Sequence, residues 1–128
     1  MKPACSDKEH ADVTVLILPS EVKEEKTNFG RVYRFQLEHS KFCIYKYDDD
    51  PRTLYLSDVE VEKAFRGYGY GRDILRWVDC FAWQQDADKI RLWVETDSFV
   101  HDWYKRHGFS DMTVEEWRPG YTWMEKTR

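Results

Sequence analysis

Residues 59–75 read VEVEKAFRGYGYGRDIL, and the rest of the chain can be arranged around them. The alternating valines predict a strand, the glycines predict a turn, and a helix is expected to begin near Tyr70. Three glycines at alternate positions allow positive φ without a Cβ penalty and leave main-chain N–H groups accessible. The helix N-terminus adds unpaired N–H donors and a partial positive charge, and Arg66 adds a full one. The stretch therefore predicts a site for a phosphate or a pyrophosphate.

The composition suits a single soluble domain. The chain has 128 residues, of which 41% are hydrophobic and 34% charged, enough for one core under a solvated surface. A net charge of −4 without a basic run argues against nucleic acid as a partner. Cys5, Cys43 and Cys80 cannot all pair within one chain and match no zinc spacing, so reduced thiols are expected. No apolar run reaches membrane-spanning length, and we expect a cytoplasmic protein without a membrane partner.

The segment before the glycine turn predicts strands joined by short links. After a polar, flexible tail at residues 1–11, strands are predicted at 13–18, within 31–38, at 42–47 and at 53–61. The last three are close enough in sequence to form an antiparallel meander. Residues 19–30 are charged and end in a turn signal, so they are expected to contain one helical turn at most.

The segment after the glycine turn alternates helix and strand. A helix over 71–87 is predicted from one apolar stripe, which comprises Ile74, Leu75, Val78, Phe81 and Ala82. A strand at 90–94 then implies a crossover and a parallel pair. A helix over 98–107 is predicted to have Asp97 as its N-cap and to end at Gly108. Its packed face is expected to hold Phe99, Val100, Trp103, Tyr104 and His107, with His101 pointing outward. Short strands at 112–117 and 121–125 complete an α/β fold with a mixed sheet.

Two common phosphate-binding motifs fail on spacing. A dinucleotide fingerprint needs a glycine where Ile74 stands, and a nucleotide loop of the Walker type needs Lys-Ser/Thr where Arg72 and Asp73 stand. What remains is Arg66-x-x-Gly69-x-Gly71 at a strand-to-helix turn. A nucleotide-binding domain of another kind is an alternative that ATP or NAD binding would reveal.

The pattern Arg66-x-x-Gly69-x-Gly71 resembles the acetyl-coenzyme A signature of the GNAT acyltransferase superfamily, Gln/Arg-x-x-Gly-x-Gly/Ala. Val61 matches the valine that commonly closes the family's fourth strand. Downstream, Asp97-x-x-Val100-x-x-x-Tyr104-x-x-x-Gly108-Phe109 is similar to the family's Asn-x-x-Ala-x-x-x-Tyr-x-x-x-Gly-Phe. The likeness covers roughly residues 53–112.

The resemblance implies a GNAT-like fold. Such a fold has a mostly antiparallel twisted sheet of about six or seven strands, one splayed parallel pair and two main helices. It also implies transfer of an acetyl group from acetyl-coenzyme A to a primary amine, by direct attack in a ternary complex and without a metal. The pyrophosphate would lie on the glycine loop, and the pantetheine arm would bond main-chain groups near Val59 and Val61.

The resemblance also assigns roles to individual residues. Tyr104 matches the tyrosine that often protonates the leaving thiolate, and a carboxylate could take the proton of the amine or hold its ammonium. Glu60, nearest the glycine loop, is the first candidate for that carboxylate, with Asp58 and Glu95 as alternatives. The expected coenzyme contacts are Val59, Val61, Arg66, Gly67, Tyr68, Gly69, Tyr70, Gly71, Arg72, Asp97 and Tyr104. The expected acceptor contacts are Glu95 and Glu60. His101 is expected at the surface, His107 at the helix end where it suits the helix dipole, and Cys80 as a buried thiol.

The sequence departs from the family in two places. Asp97 stands where the family usually has Asn, and an ionised aspartate cannot donate a hydrogen bond to the coenzyme. Residues 19–30 are too few for the two helices that normally wall the acceptor site. The acceptor groove is therefore expected to be open, or completed by a second subunit of a homodimer. The alternative function is a coenzyme A-binding sensor or structural module without turnover.

Overall fold

The computed structural model describes residues 21–114 and 118–128. The strands are β1 Glu21–Lys26, β2 Gly30–Gln36, β3 Ser40–Tyr47, β4 Thr53–Val61, β5 Lys89–Glu95, β6 Ser110–Asp111 and β7 Tyr121–Thr127. The helices are α1 Tyr70–Gln84 and α2 Phe99–Arg106, and a short 3-10 turn spans Lys63–Phe65. The predicted tail, the predicted strand at 13–18 and Cys5 lie outside the described residues.

The strands form one mixed sheet of seven, in the order β1-β2-β3-β4-β5-β7-β6. Every neighbouring pair is antiparallel except β4 and β5, which are parallel. Short turns join β1 to β4 as a meander, whereas the parallel pair needs the long connection that contains α1. The predicted fold class, with its single parallel pair and two main helices, is confirmed.

The first described strand corrects the prediction for residues 19–30. Glu21–Lys26 is a strand at the edge of the described part of the sheet, where it pairs antiparallel with β2, with Val22 opposite Phe35 and Lys26 opposite Arg31. Its charges are matched across the pair: Glu24 bonds Arg31, and Glu25 lies 2.6 Å from Arg34. An edge strand tolerates such a charged sequence because its side chains remain in water and opposite charges face each other. The expectation of at most one helical turn was therefore wrong for residues 21–26, whereas the predicted turn signal at Asn28–Gly30 does join β1 to β2.

Both helices pack on one face of the sheet. The predicted stripe of α1 is buried there, and Phe81 meets the ring of Phe35 edge-on at 5.3 Å. Alternate strand residues such as Leu54 and Leu92 supply the floor of this core. The opposite face carries half-buried aromatic rings, among them Trp93. Neither helix of the described part is long and apolar enough to cross a bilayer.

Helix α2 differs from its prediction. Ser98, not Asp97, is its N-cap, and the Ser98 Oγ accepts a hydrogen bond from the N–H of His101 at 3.1 Å. The buried face of the helix also differs from the predicted one. His101 is 2% exposed, whereas Phe99, predicted to be packed, is 77% exposed. The buried residues of α2 are His101 and Tyr104. Apolar spacing alone could not show which side of the helix packs on the sheet.

Two smaller predictions also fail. Strand β6 is Ser110–Asp111, whereas residues 112–114 of the predicted strand at 112–117 are irregular and 115–117 lie outside the described residues. The strand lies earlier in the chain than predicted, because Ser110 and Asp111 pair with Glu125 and Met124 of β7. Cys80 is half-buried rather than buried, since it lies at the flank of α1 and lines a surface cavity.

Candidate active site

A gap opens between the parallel strands β4 and β5. They pair only over Thr53–Tyr55 and Lys89–Arg91, although β4 continues to Val61 and β5 to Glu95. Strand β4 also has an extra residue, since the pairing with β3 slips between Ser57 and Glu60. Asp58 within this bulge has φ 55°, in the left-handed region. A bulge bends its strand, which separates β4 from β5 beyond the paired segment.

Main-chain groups of β4 face this gap. The N–H of Glu62 donates to the carbonyl of His39 on the β3 side, at 2.9 Å. Since peptide groups of successive strand residues point to opposite sides, those of Val61 and Val59 point toward β5. The Val61 carbonyl accepts a hydrogen bond from Nε of Arg66 at 3.0 Å. The edge beside the gap can therefore pair with an extended ligand at Val59.

The glycine loop presents main-chain amides. Gly67 and Gly69 have φ of 86° and 91°, which other residues adopt only with strain. Among the described residues, no protein group accepts a hydrogen bond from the amides of residues 67–72. Helix α1 starts directly behind them with Gly69 as an N-cap that has no side chain to cap it. Unpaired amides at a helix N-terminus form an anion-binding site.

The third glycine has a different purpose from the one predicted. Gly71 lies in the first turn of α1 without a positive φ, and a Cβ there would be 3.2 Å from the indole of Trp103 on α2. Gly71 is thus required by close helix packing rather than by turn geometry. The Arg72 guanidinium folds back over Gly69, where a Cβ would lie 3.2 Å from its terminal nitrogen. Arg66 and Arg72 together add positive charge beside the amides.

A cavity of about 1060 Å³ lies between the glycine loop, the end of β4 and helix α2. Its walls include every residue expected to contact the coenzyme except Asp97. Asp97 lies outside, with its main-chain N–H donated to Nδ1 of His101 at 2.9 Å. The sequence reasoning missed other wall residues: Phe65, Phe99, Val100, Trp103 and His107. Phe99, Val100, Trp103 and His107 share one side of α2. Their spacing was interpreted as a face packed on the core.

A second cavity, of about 450 Å³, lies at the gap between β4 and β5, and residues of both sheet faces line it. Asp58 and Glu95 line it together with Trp93 and Tyr121. Its walls share three residues with the first cavity: Val59, Val100 and Tyr104. The two cavities therefore meet at Tyr104.

The three candidate carboxylates do not all line one cavity. Asp58 and Glu95 line the second cavity, Glu60 lines the first, and Asp58 and Glu60 both line a shallow groove along β3. Glu60 also forms an exposed ion pair with Lys41, at 3.3 Å. Cys43 lines the same groove. The pKa of its thiol is raised mainly by burial and to a smaller extent by the negative charge of Asp58.

Tyr104 is 5% exposed, and its burial raises the pKa of its phenol to about 12. Burial acts this way because it disfavours the charged phenolate. The hydroxyl is consequently protonated throughout the neutral range. At this junction Tyr104 carries a proton that it can donate, although the raised pKa makes its phenol a weaker acid than that of an exposed tyrosine.

Comparison with known proteins agrees with this geometry. A family model described as an acetyltransferase (GNAT) domain matches residues 27–111. A GNAT family acetyltransferase from Elizabethkingia anophelis, solved with acetyl-CoA bound, is 13% identical with a TM-score of 0.61 over 98% of this chain and 86% of that one. An acetyltransferase from Bacillus cereus is 19% identical, with a TM-score of 0.60 over 87% and 77%. One of the GNAT family from Staphylococcus aureus is 17% identical, with a TM-score of 0.60 over 76% and 66%.

At these identities the solved structures share the fold alone, whereas the family model covers most of the chain. Fold and matched domain together define an acetyltransferase. The chain belongs to the GNAT acetyltransferase family, whose acetyl donor is acetyl-coenzyme A.

Proposed function

We propose that this chain acetylates a primary amine that enters from the sheet face opposite the helices. One observation carries the proposal: two cavities at the gap between β4 and β5 share Val59, Val100 and Tyr104 in their walls. A donor in the first cavity and an acceptor in the second would approach each other there. Such an arrangement suits direct attack in a ternary complex, because it converts the reaction into an oriented, effectively unimolecular step.

The chain's own groups fit acetyl-coenzyme A. The free amides of residues 67–72, with Arg66 and Arg72, would hold the pyrophosphate. Main-chain groups of Val59 would hold the pantetheine arm as an additional strand. When bound, acetyl-coenzyme A supplies an activated acetyl group.

Asp58 and Glu95 are the proposed acceptor-side carboxylates. They line the second cavity, whereas Glu60, the first candidate from sequence, is paired with Lys41 on an exposed strand. Either carboxylate would attract the ammonium form and accept its proton, directly or through water. The amine nitrogen then bonds to the acetyl carbon as the carbon–sulfur bond breaks. Tyr104 gives its proton to the leaving thiolate, and the second proton that the nitrogen loses as the amide forms restores the phenol, directly or through water.

Aromatic rings beside these carboxylates support a cationic acceptor. The guanidinium of Arg118 lies 4.5 Å from the ring centre of Tyr121 and 5.3 Å from that of Trp93. Faces of aromatic rings attract cations, and here the guanidinium of Arg118 lies over two such rings. An ammonium group of a small molecule or of a protein could use the same rings.

The proposal is tested by measuring coenzyme A release over a panel of small amines and lysine-containing peptides. Wild type should turn over at least one cationic amine. Tyr104→Phe and Glu95→Gln should lower kcat by at least tenfold, with unchanged affinity for acetyl-coenzyme A. Tyr47→Phe, on the same sheet but outside both cavities, is the matched control. Tight acetyl-coenzyme A binding without turnover of any amine would favour a non-catalytic module and contradict the proposal.

A further inference from the structure

The His101 imidazole is buried and lies outside both cavities. It is 2% exposed, and it stands one helical turn before Tyr104 on α2. Polar side chains at this depth are retained when their hydrogen bonds are satisfied. The hydrogen-bond partners of its two ring nitrogens therefore indicate its role.

Both nitrogens are hydrogen-bonded. The N–H of Asp97 donates to Nδ1 at 2.9 Å, so Nδ1 is the acceptor and Nε2 carries the ring proton. Nε2 then donates to Oδ1 of Asp111 at 2.7 Å. The ring thus bridges the turn after β5 and strand β6, and its tautomer is fixed by the two partners.

The bond to Asp97 supports a strained residue. Asp97 has φ 59°, a left-handed conformation that is unfavourable for residues other than glycine. The main-chain N–H of His101 also donates to Oγ of Ser98, the residue after Asp97, at 3.1 Å. His101 therefore contacts two successive residues of the turn that starts α2, one through its ring and one through its backbone.

We propose that His101 and Asp111 are positioning residues that hold the start of α2, and with it Tyr104, at the junction of the two cavities. Val100 and Tyr104 flank His101 on the helix and line both cavities. Loss of either ring bond frees the turn, and the helix can then shift relative to the gap. Displacement of a reacting group by about 1 Å can cost about a hundredfold in rate. The inference rests on the proposed role of Tyr104 as the proton donor.

The test separates the two ring bonds. His101→Asn retains an acceptor near Nδ1, and His101→Gln retains a donor near Nε2. We expect each to lower kcat by about tenfold or more, while KM for acetyl-coenzyme A changes less than about threefold, because the glycine loop lies at the start of α1. Asp111→Asn can still accept from Nε2 and should keep kcat within about threefold of wild type, whereas Asp111→Ala should lose as much as the His101 variants. Asp102→Asn, exposed on the same helix, is the control and should match wild type.

A double-mutant cycle decides whether His101 acts through Tyr104. In a Tyr104→Phe background, His101→Asn should lower kcat little further, since the group that it positions is already absent. Multiplicative losses would overturn the inference, as would wild-type kcat in folded His101→Asn and Asp111→Ala. Titration of the tyrosines adds a spectroscopic readout: burial raises the pKa of the Tyr104 phenol to about 12, and this pKa should be lower in His101→Gln. Wild-type kcat in Tyr104→Phe alone would instead contradict the proposed function, and an unchanged titration in His101→Gln would then contradict the positioning role as well.

Discussion

The indole of Trp103 lies 3.2 Å from the position that a Cβ on Gly71 would occupy. This contact joins the start of α1, which carries the glycine loop, to α2, which carries Tyr104. The proposed phosphate seat and the proposed proton donor are therefore packed against each other. Substitutions at Gly69 and Gly71 should show how much of the affinity for coenzyme A depends on backbone conformation and how much on this packing.

The first prediction concerns Gly69 and Gly71. Gly69→Val forces a branched side chain into φ 91° beside the proposed pyrophosphate seat, and should weaken coenzyme A binding by at least tenfold. Gly71→Ala meets only Trp103, which can yield by a few tenths of an ångström, so affinity should change less than about threefold. Calorimetric titration of coenzyme A measures both. Gly120→Val, at φ 83° in a distant turn, controls for backbone strain and should bind normally; equal losses at Gly69 and Gly120 would refute the loop assignment.

The second prediction concerns alkaline stability. The Tyr104 phenol has its pKa raised by burial from 10 to about 12, which corresponds to about 3 kcal/mol. The unfolded chain loses this proton first, so the contribution is complete below pH 10 and is lost as the pH rises toward 12. Denaturant unfolding of wild type between about pH 9 and pH 11.5 should show a steeper loss than Tyr104→Phe. Tyr33 and Tyr47, whose pKa values are also raised by burial, remain in both proteins and cancel. Parallel curves would mean that Tyr104 is not buried.

The third prediction concerns the cation on the acceptor side. Arg118→Gln should lower KM for cationic amines about two- to fivefold, because it frees rings that attract a cation with about 0.5–1 kcal/mol. Steady-state kinetics with one amine at saturating acetyl-coenzyme A measures this. Arg106→Gln is the matched control, since its guanidinium lies 6.0 Å from the ring centre of Phe99 in the other cavity. A rise in KM in Arg118→Gln would show that the cation assists the acceptor rather than competing with it.

The fourth prediction compares two serines. The Ser40 hydroxyl is buried without a hydrogen-bond partner among the described residues, so Ser40→Ala should leave the free energy of unfolding unchanged or raise it by up to about 1 kcal/mol. Ser98→Ala removes the N-cap of α2 and should lower it by about 1 kcal/mol. Thermal unfolding of both variants provides the comparison. A clear loss in Ser40→Ala would reveal a partner, such as a buried water.

The sequence predicted the centre of the fold better than its edges. The bounds of β4, the start of α1 and the buried stripe from Ile74 to Ala82 follow from local periodicity and glycine spacing, which act within a few residues. Edge strand β1 could not be found that way, because its charges are stabilised by Arg31 and Arg34 on a neighbouring strand.

The candidate site was predictable where it depends on motif residues and less so where it depends on long-range contacts. The glycine loop and Tyr104 were both predicted as site residues, and both line the cavity of about 1060 Å³. The burial of His101 depends on Asp97 and on Asp111, ten residues further along the chain. The opening between the strands brings Asp58 and Glu95 to one cavity that Glu60 does not line, and it follows from a bulge that alternation of valines does not indicate.

The central claim is that the free amides of the glycine loop hold a pyrophosphate and direct a thioester to Tyr104. A crystal structure of this chain with acetyl-coenzyme A tests it most directly. We expect the pyrophosphate within hydrogen-bond distance of amides from residues 67–72, and the sulfur between Val59 and Tyr104. Coenzyme ordered elsewhere, for example in the separate cavity of about 270 Å³ beside Cys80 and Trp83, with an empty glycine loop, would contradict it.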